Sequence, residues 1–346
     1  MNDHAKEQVL VTGASGYIAL HVILQLLKQG YKVRGTLRTP AREAGIREAL
    51  AKHGNFNDQL SFVKTDLTSD EGWDEAVAGC TYVHHIASPI VKEPPKNDDD
   101  LIIPAKEGAL RVLRAAAKAG VKRVVMTSSV AAIVYGHNRD GSLTFNEDYW
   151  TDLSSSEMGA YERSKTIAET AAWEYMKGEG GAGGMEFATI NPGFVLGPML
   201  DADSGVSLEL IRKLMVGEMP GLPKLGWAVV DVRDVASAHV AAMTVPEAAG
   251  KRFLCSQDHM WVEDIANGIR DYAKTKGYKV PSMKIPAFVL KIVGLFDKTI
   301  RMILHELGKR QDIDNSRIRQ VLNWQPHDMQ DTLKESVDSL VKFKVV

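Results

Sequence analysis

Near its start the chain runs Val9-Leu10-Val11-Thr12 into Gly13-Ala14-Ser15-Gly16-Tyr17-Ile18-Ala19, and this junction constrains the fold more than any other stretch. The first four residues are apolar or β-branched and predict a short buried strand, whereas from Tyr17 to Leu27 apolar residues recur at helical spacing. Gly13, Gly16 and Ala19 between them keep the G-x-x-G-x-x-[GA] spacing, in which glycines permit a tight turn and let a pyrophosphate approach a helix N-terminus. Ala19 replaces a glycine at the position that meets the sheet, where a methyl group is tolerated. Strand, glycine turn and helix in that order predict a dinucleotide site.

A second strand, Lys32 to Leu37, ends in Arg38. An NAD site places a carboxylate there for the ribose 2′-hydroxyl. Arg34, Arg38 and Arg42 surround that strand end instead, and a guanidinium makes charge-assisted bonds to a 2′-phosphate. NADP(H) is therefore expected, the alternative being that the arginines only solvate a loop. Ser61 to Lys64 reads as a third strand ending at Asp66-Leu67, and Tyr82 to Ile86 as a fourth ending at Ala87-Ser88-Pro89. Ligands of open parallel sheets gather at the carboxyl ends of the strands, so Asp66 is a candidate for the adenine amine and Ala87-Ser88 for the cofactor backbone. Asp66 reads equally well as a solvated turn. His84 and His85, inside the strand, read as satisfied core histidines rather than ligands.

A helix over Leu101–Ala119 tolerates Pro104 near its first turn, and Arg123 to Thr127 is a fifth strand, ending in Ser128-Ser129. Either serine there is placed to orient a substrate carbonyl. If Ala160 to Lys177 is a helix, Tyr161 and Lys165 lie one turn apart on one face. A phenol beside a fixed positive charge is expected to ionise more easily, which suits proton transfer to a developing alkoxide. Taken alone that spacing is common; after a strand-end serine and an N-terminal glycine turn, it completes one active site. A sixth strand, Met185 to Ile190, leads into Asn191-Pro192-Gly193.

Composition bounds the alternatives. At 346 residues, two domains or one large domain with an appendage are expected. Lys plus Arg number 42 against 44 Asp plus Glu, a formal charge of -2, so no basic footprint marks a nucleic acid partner. Cys80 and Cys255 are too far apart for a disulfide framework or a cysteine-rich metal site, and no metal is expected; a reducing cytoplasm fits. Met1 to Gln8 is polar, unlike a signal peptide. The most membrane-like stretch, Ile285 to Leu307, is interrupted by Lys291, Asp297, Lys298 and Arg301 and reads as amphipathic helices; no membrane partner is expected.

The residues resemble the extended short-chain dehydrogenase/reductase superfamily, in the branch of dihydroflavonol reductases, cinnamoyl-CoA reductases and aldehyde and ketone reductases. The resemblance covers most of the chain. It rests on Val11 to Ala19, His85-Ile86-Ala87-Ser88-Pro89, Thr127 to Ala132, Tyr161 with Lys165, Ala171-Ala172-Trp173-Glu174, Asn191-Pro192, Val230 to Ala236 and Leu322-Asn323-Trp324-Gln325-Pro326. It implies a doubly wound α/β Rossmann domain over residues 1–195, joined by a strand and helix returning near 228–245, and a smaller α+β substrate domain over 196–346. It implies Ser129, Tyr161 and Lys165 as the catalytic set. Gly13, Ser15, Gly16, Tyr17, Ile18, Arg38, Arg42, Asp66, Leu67, Ala87, Ser88, Pro192 and Val195 would bind NADP(H), with Tyr161 and Lys165 also touching it. Gly159 to Lys165 departs from the Asn-Trp-Tyr-Cys-Tyr-Gly-Lys stretch of cinnamoyl-CoA reductases, which argues against a CoA thioester. Ile133-Val134 replaces the polar residue of plant dihydroflavonol reductases, and Leu143 to Glu147 resembles the yeast-like ketone reductases.

The expected activity is reversible NADPH-dependent reduction of an aldehyde or ketone; a nucleotide-sugar epimerase or dehydratase and a non-catalytic NADP sensor are the alternatives. The chain is expected to work as a monomer or homodimer. Beyond Gly197, Met, Pro and Gly rise. Ile133, Val134, Phe194, Leu196, Met199, Leu222, Leu225 and Trp227 are candidates for an apolar pocket that takes a medium or bulky uncharged carbonyl, core packing being the favoured alternative for most of them. Gly178 to Gly184, with five glycines, reads as a mobile connector.

Overall fold

The computed structural model describes residues 7–89, 97–202 and 205–346, so most of the polar N-terminal stretch lies outside the described residues. In chain order the first half contains β1 (Gln8–Val11), α1 (Tyr17–Lys28), β2 (Lys32–Leu37), α2 (Glu43–Ala51), β3 (Leu60–Lys64), α3 (Trp73–Val77), β4 (Cys80–His85), α4 (Asp99–Lys118), β5 (Arg123–Thr127), β6 (Thr144–Phe145) and α5 (Ala160–Lys177). There follow α6 (Glu179–Ala182), β7 (Glu186–Pro192), β8 (Phe194–Leu196), α7 (Leu208–Val216), β9 (Leu222–Pro223), β10 (Gly226–Asp231), α8 (Val232–Thr244), β11 (Lys251–Cys255) and β12 (His259–Trp261). The chain closes with α9 (Val262–Thr275), β13 (Lys284–Ile285), α10 (Ala287–Val293), α11 (Lys298–Ile303), β14 (Asp312–Ile313), α12 (Ser316–Leu322) and α13 (Met329–Lys342).

The central sheet has seven parallel strands in the order β3-β2-β1-β4-β5-β7-β11. The order reverses between β1 and β4, the switch point at which such sheets bind ligands. Strands buried on both faces read as unbroken apolar runs, as Val9 to Val11 and Val124 to Met126 do. Apolar faces of α1, α2 and α8 pack on one side, where Leu20, Ile23, Ile46, Val235 and Met243 are buried. On the other side α3, α4 and α5 contribute Trp73, Val112, Leu113, Ala168 and Ala172.

The strand that returns to this sheet after residue 196 is β11, beside β7, not the stretch near 228. β10 at that position pairs with β8 and β12 in a separate three-stranded sheet. Only the helix of the expected returning unit, α8, packs on the central sheet. The crossing from β7 to β8 is made at Gly193, where a Cβ would lie 2.1 Å from the Ala228 carbonyl oxygen. A side chain would therefore collide with backbone. The smaller part has its own core, in which Leu208, Ile211, Leu225, Val229, Ile265, Ile269, Leu333 and Leu340 are buried. The glycine-rich segment 178–184 includes the helical turn α6 rather than being wholly irregular. Ile285 to Leu307 forms short helices, and among the described residues no helix is long and apolar enough to cross a membrane.

Candidate active site

The turn between β1 and α1 is drawn tight by the bond from Gly16 N–H to the Gly13 carbonyl, 2.8 Å. Gly13 adopts φ +66°, open to glycine at no steric cost, and a Cβ there would stand 3.0 Å from the Ala87 Cβ. The ends of β1 and β4 thus approach so closely that a side chain at Gly13 would press on Ala87. Thr12 ties them: its Oγ1 accepts from the amides of Ile86 at 3.0 Å and Ala87 at 2.9 Å, with His85 Nδ1 at 3.0 Å. No side chain caps α1 and no acid occupies its first turn, so its first N–H groups and dipole remain open to an anion. Ser15, Gly16 and Ile18 are partly exposed in this cradle. Tyr17 lies beside them, but its phenol donates to the Gly197 carbonyl at 2.7 Å, which leaves only its backbone for a cofactor.

At the end of β2 the three arginines separate. Arg34 turns away, donating to the carbonyls of Glu75, Ala76 and Ala78 at 3.1, 2.9 and 2.8 Å and so capping the α3 region. Arg38 is exposed at the strand end, and Arg42, also exposed, lies 3.3 Å from Asp201. The Asp66 carboxyl is held below its ordinary value, first by its bonds from Thr68 and also by the charges of Arg38 and Arg111. The Leu67 side chain packs where a Cβ on Gly108 would be 3.0 Å away. A glycine cradle, a strand end bearing arginine and no carboxylate, and a carboxyl at the next strand end fit NADP(H).

Ser129 begins a turn after β5 in extended conformation (φ −162°), and its Oγ accepts from Ala131 N–H at 3.1 Å. That bond fixes its rotamer and leaves its own O–H free to turn toward Tyr161, whose proton affinity it lowers. Ser128 is already committed: its Oγ donates to the buried Glu169 carboxylate at 2.5 Å. The structure thus separates two serines that the strand end alone leaves equivalent. Lys165, buried on α5, donates to Ser88 Oγ at 3.0 Å and lies 5.9 Å from the centroid of the Tyr161 ring.

The expected lowering of the Tyr161 pKa by Lys165 is not found. Desolvation of the hydroxyl raises it, the Ser129 bond opposes this, and Glu162 adds to the rise. The residue as a whole is 42% exposed, so its side chain stays open to an incoming substrate. Burial also pulls the Lys165 ammonium down to about 8, against the opposing charge of Glu169. Both groups are displaced by the same first cause, loss of water. A phenol that stays protonated is the form that a reduction uses.

Several expectations change on folding. Ile133, Val134, Leu196, Met199, Leu222 and Leu225 are buried in the cores, not open to a substrate. Of the eight apolar candidates, Phe194 and Trp227 remain partly exposed, stacked at 4.7 Å. Pro192 ends β7 paired to Cys255, and Val195 on β8 pairs with Val230; both are buried. His84 and His239 face each other with Nδ1 atoms 3.4 Å apart, and burial pushes His84 down to about 3. Residue patterns did not single out Glu169 or Arg252. A carboxylate among Ala168, Ala171 and Ala172 on the buried face of α5 was the available signal.

These are the parts of an enzyme that moves a hydride between a dinucleotide and a carbonyl or alcohol. The chain belongs to the NAD dependent epimerase/dehydratase family, whose model matches residues 9–255. Cinnamoyl-CoA reductase 1 of Arabidopsis thaliana is 36% identical over 316 residues, 88% of this chain and 89% of that protein. The NADPH-dependent methylglyoxal reductase of Saccharomyces cerevisiae is 30% identical over 356 residues, covering 97% and 98%. The crystal structure of yeast methylglyoxal/isovaleraldehyde reductase complexed with NADPH matches with a TM-score of 0.80 at 27% identity, over 98% of this chain and 99% of that one.

Proposed function

We propose that this chain reduces an aldehyde or ketone to the alcohol with NADPH, through Ser129, Tyr161 and Lys165. It is an NADP-dependent oxidoreductase acting on carbonyl groups. The observation that carries the residue roles is a buried Lys165 one helical turn from Tyr161, 5.9 Å from its ring, with Ser129 acting on the same phenol.

When bound, NADPH supplies the hydride that reaches the carbonyl carbon. Gly13, Ser15, Gly16 and the backbone of Tyr17 and Ile18 would hold its pyrophosphate, Arg38 and Arg42 its 2′-phosphate, Asp66 and Leu67 its adenine. Ala87, Ser88, Pro192 and Val195 would line its nicotinamide half, and Lys165 its ribose hydroxyls. Ser129 O–H donates to the carbonyl oxygen and fixes it beside the Tyr161 hydroxyl. The Tyr161 proton passes to that oxygen as negative charge develops on it, and Lys165 stabilises the phenolate left behind.

The substrate is a medium or bulky uncharged carbonyl, which the Phe194–Trp227 stack supports. Burying apolar area gains roughly 25 cal/mol per Å², so an aryl ketone should show a KM roughly ten- to a hundredfold below that of a small aldehyde. The departure at Gly159 to Lys165 weighs against a CoA thioester, and the arginines at the end of β2 against an epimerase. Buried, unpaired Cys80 and Cys255 suit a reducing cytoplasm, where the chain works as a monomer or homodimer.

NADPH oxidation, followed with a short aldehyde, an aryl ketone, a β-keto ester and cinnamoyl-CoA, tests this reading. Wild type should turn over the ketone, and Tyr161→Phe should keep NADPH binding while losing kcat by about 10²-fold or more. Near wild-type kcat in that variant would sink the catalytic assignment; preference for cinnamoyl-CoA would sink only the substrate class.

A further inference from the structure

One turn after Lys165, and fully buried, stands Glu169. Its carboxylate gathers donors from four elements. Oε2 accepts from Ser128 Oγ at 2.5 Å and Asn191 Nδ2 at 2.8 Å. Oε1 accepts from Arg252 Nε at 2.7 Å, Thr189 Oγ1 at 3.0 Å and Trp173 Nε1 at 3.2 Å. Arg252 is in turn fixed by the carbonyls of Glu147 at 2.8 Å and Tyr149 at 2.7 Å, and lies 3.6 Å over the Trp150 ring. Asn191 also donates to the Ser129 carbonyl at 3.2 Å. One carboxylate therefore ties α5, which carries Tyr161 and Lys165, to the end of β5, which carries Ser129, and to β7 and β11.

We propose that Glu169, clamped by Arg252, is the positioning residue of this reaction: it holds Lys165 and Ser129 in the relation that proton transfer requires. The proposal rests on the reading of Ser129, Tyr161 and Lys165 as the reacting set. Two consequences are separable. The first is geometric, since without the carboxylate Ser128 and Asn191 lose their shared acceptor and Ser129 its anchored backbone. The second is electrostatic. The charge of Lys165 is felt by His85 of β4, and on its own helix Lys165 lies 5.9 Å from the Tyr161 ring and feels Glu169, which is paired with Arg252 of β11. Burial pushes His85 down to about 3, so it is neutral in the working range. Glu169, which Arg252 and its other donors hold ionised against the cost of burial, is the charge that keeps the ammonium protonated.

The sign follows. Lys165 loses its proton as pH rises through about 8. Removing the carboxylate lowers that midpoint, so the basic limb of kcat moves toward neutral pH. The test titrates Lys165 by NMR in protein carrying isotope-labelled lysine, without cofactor or substrate, its signal assigned by its loss in Lys165→Met. In Glu169→Gln the midpoint should fall, because an opposite charge one turn away favours the ammonium. The basic limb of kcat should fall with it, and Glu169→Asp should restore both. If Glu169→Gln does not fold, Glu169→Gln/Arg252→Met removes both buried charges together and is read against Arg252→Met alone, below whose Lys165 midpoint it should lie. A folded variant whose Lys165 midpoint and basic limb stay at wild-type values overturns the proposal, as does a loss of kcat that is equal at every pH. Full turnover by Tyr161→Phe would instead remove the functional reading, and the lysine titration would still judge Glu169.

Discussion

Three arginines surround the end of β2, and their side-chain partners sort them. Arg34 is spent on three carbonyls near α3 and Arg42 stands beside Asp201, whereas Arg38 is exposed at the strand end with its charge felt at Asp66. A charge-assisted bond to phosphate is worth about 1.5–3 kcal/mol, so Arg38→Ala should raise the KM for NADPH at least about tenfold and leave that for NADH nearly unchanged. Steady-state kinetics with both cofactors read this directly. An unchanged preference would move the phosphate contact to Arg42. Tyr161 shows the same rule from the other side: the spacing of four suggests an ion-assisted phenol, but desolvation raises its proton affinity instead.

Among the elements, the strand pair β7–β8 is the joint between the central sheet and the small sheet. Gly193 makes that joint because Ala228 oxygen and Ser256 Oγ lie 2.1 and 2.4 Å from where its Cβ would be. Gly193→Ala forces backbone to move and should cost roughly 1–3 kcal/mol or more by urea denaturation. Gly45, in exposed surroundings on α2 with nothing within 4 Å of its Cβ position, provides the contrast. There the added methyl should stabilise by about 0.5–1 kcal/mol, because the unfolded chain loses freedom and helix propensity rises. Equal effects at the two positions would contradict the close approach at Gly193.

Across the whole molecule, Arg139 in the segment after β5 meets Glu306 near the end of the smaller part, bidentate at 2.8 and 2.9 Å, with both residues buried. Arg139 also lies 4.3 Å over the Tyr135 ring. Burial raises the Glu306 carboxyl, but bonds from His305 and Arg139 overcome it and bring it down to about 2 from 4.5. A depressed carboxylate contributes stability above its unfolded value, lost as pH falls from about 4.5 through about 2. Arg139→Met leaves that charge buried without its partner and should cost about 3–5 kcal/mol at neutral pH. The gap to wild type should narrow as pH approaches 4.5, since the variant's carboxyl, without Arg139, can then be buried neutral while the wild-type one stays ionised. Urea titrations of both proteins at pH values between neutrality and 4.5 measure it; a gap independent of pH would assign the effect to packing on Tyr135.

Features set by near neighbours in the chain were legible in the residues alone. The strand, glycine turn and helix at Val9 to Leu27, β2 and β5 with their stated ends, the helix Ala160–Lys177 and the missing carboxylate after Leu37 all follow from periodicity and turn chemistry, which act over a few residues. What required the tertiary structure was the choice of partner over long separations. Nothing local distinguishes Ser128 from Ser129 until Glu169 claims one of them. Nothing local tells Arg34 from Arg38 until the carbonyls near α3 take the first. The stretch near 228 is the expected returning strand, yet β11 is the one that enters the central sheet, because β10 is held by β8 and β12. Burial, too, is collective: it made core of six predicted pocket residues and set the proton affinities of Tyr161 and Lys165, since desolvation depends on everything packed around a group and not on the neighbours it has in the chain.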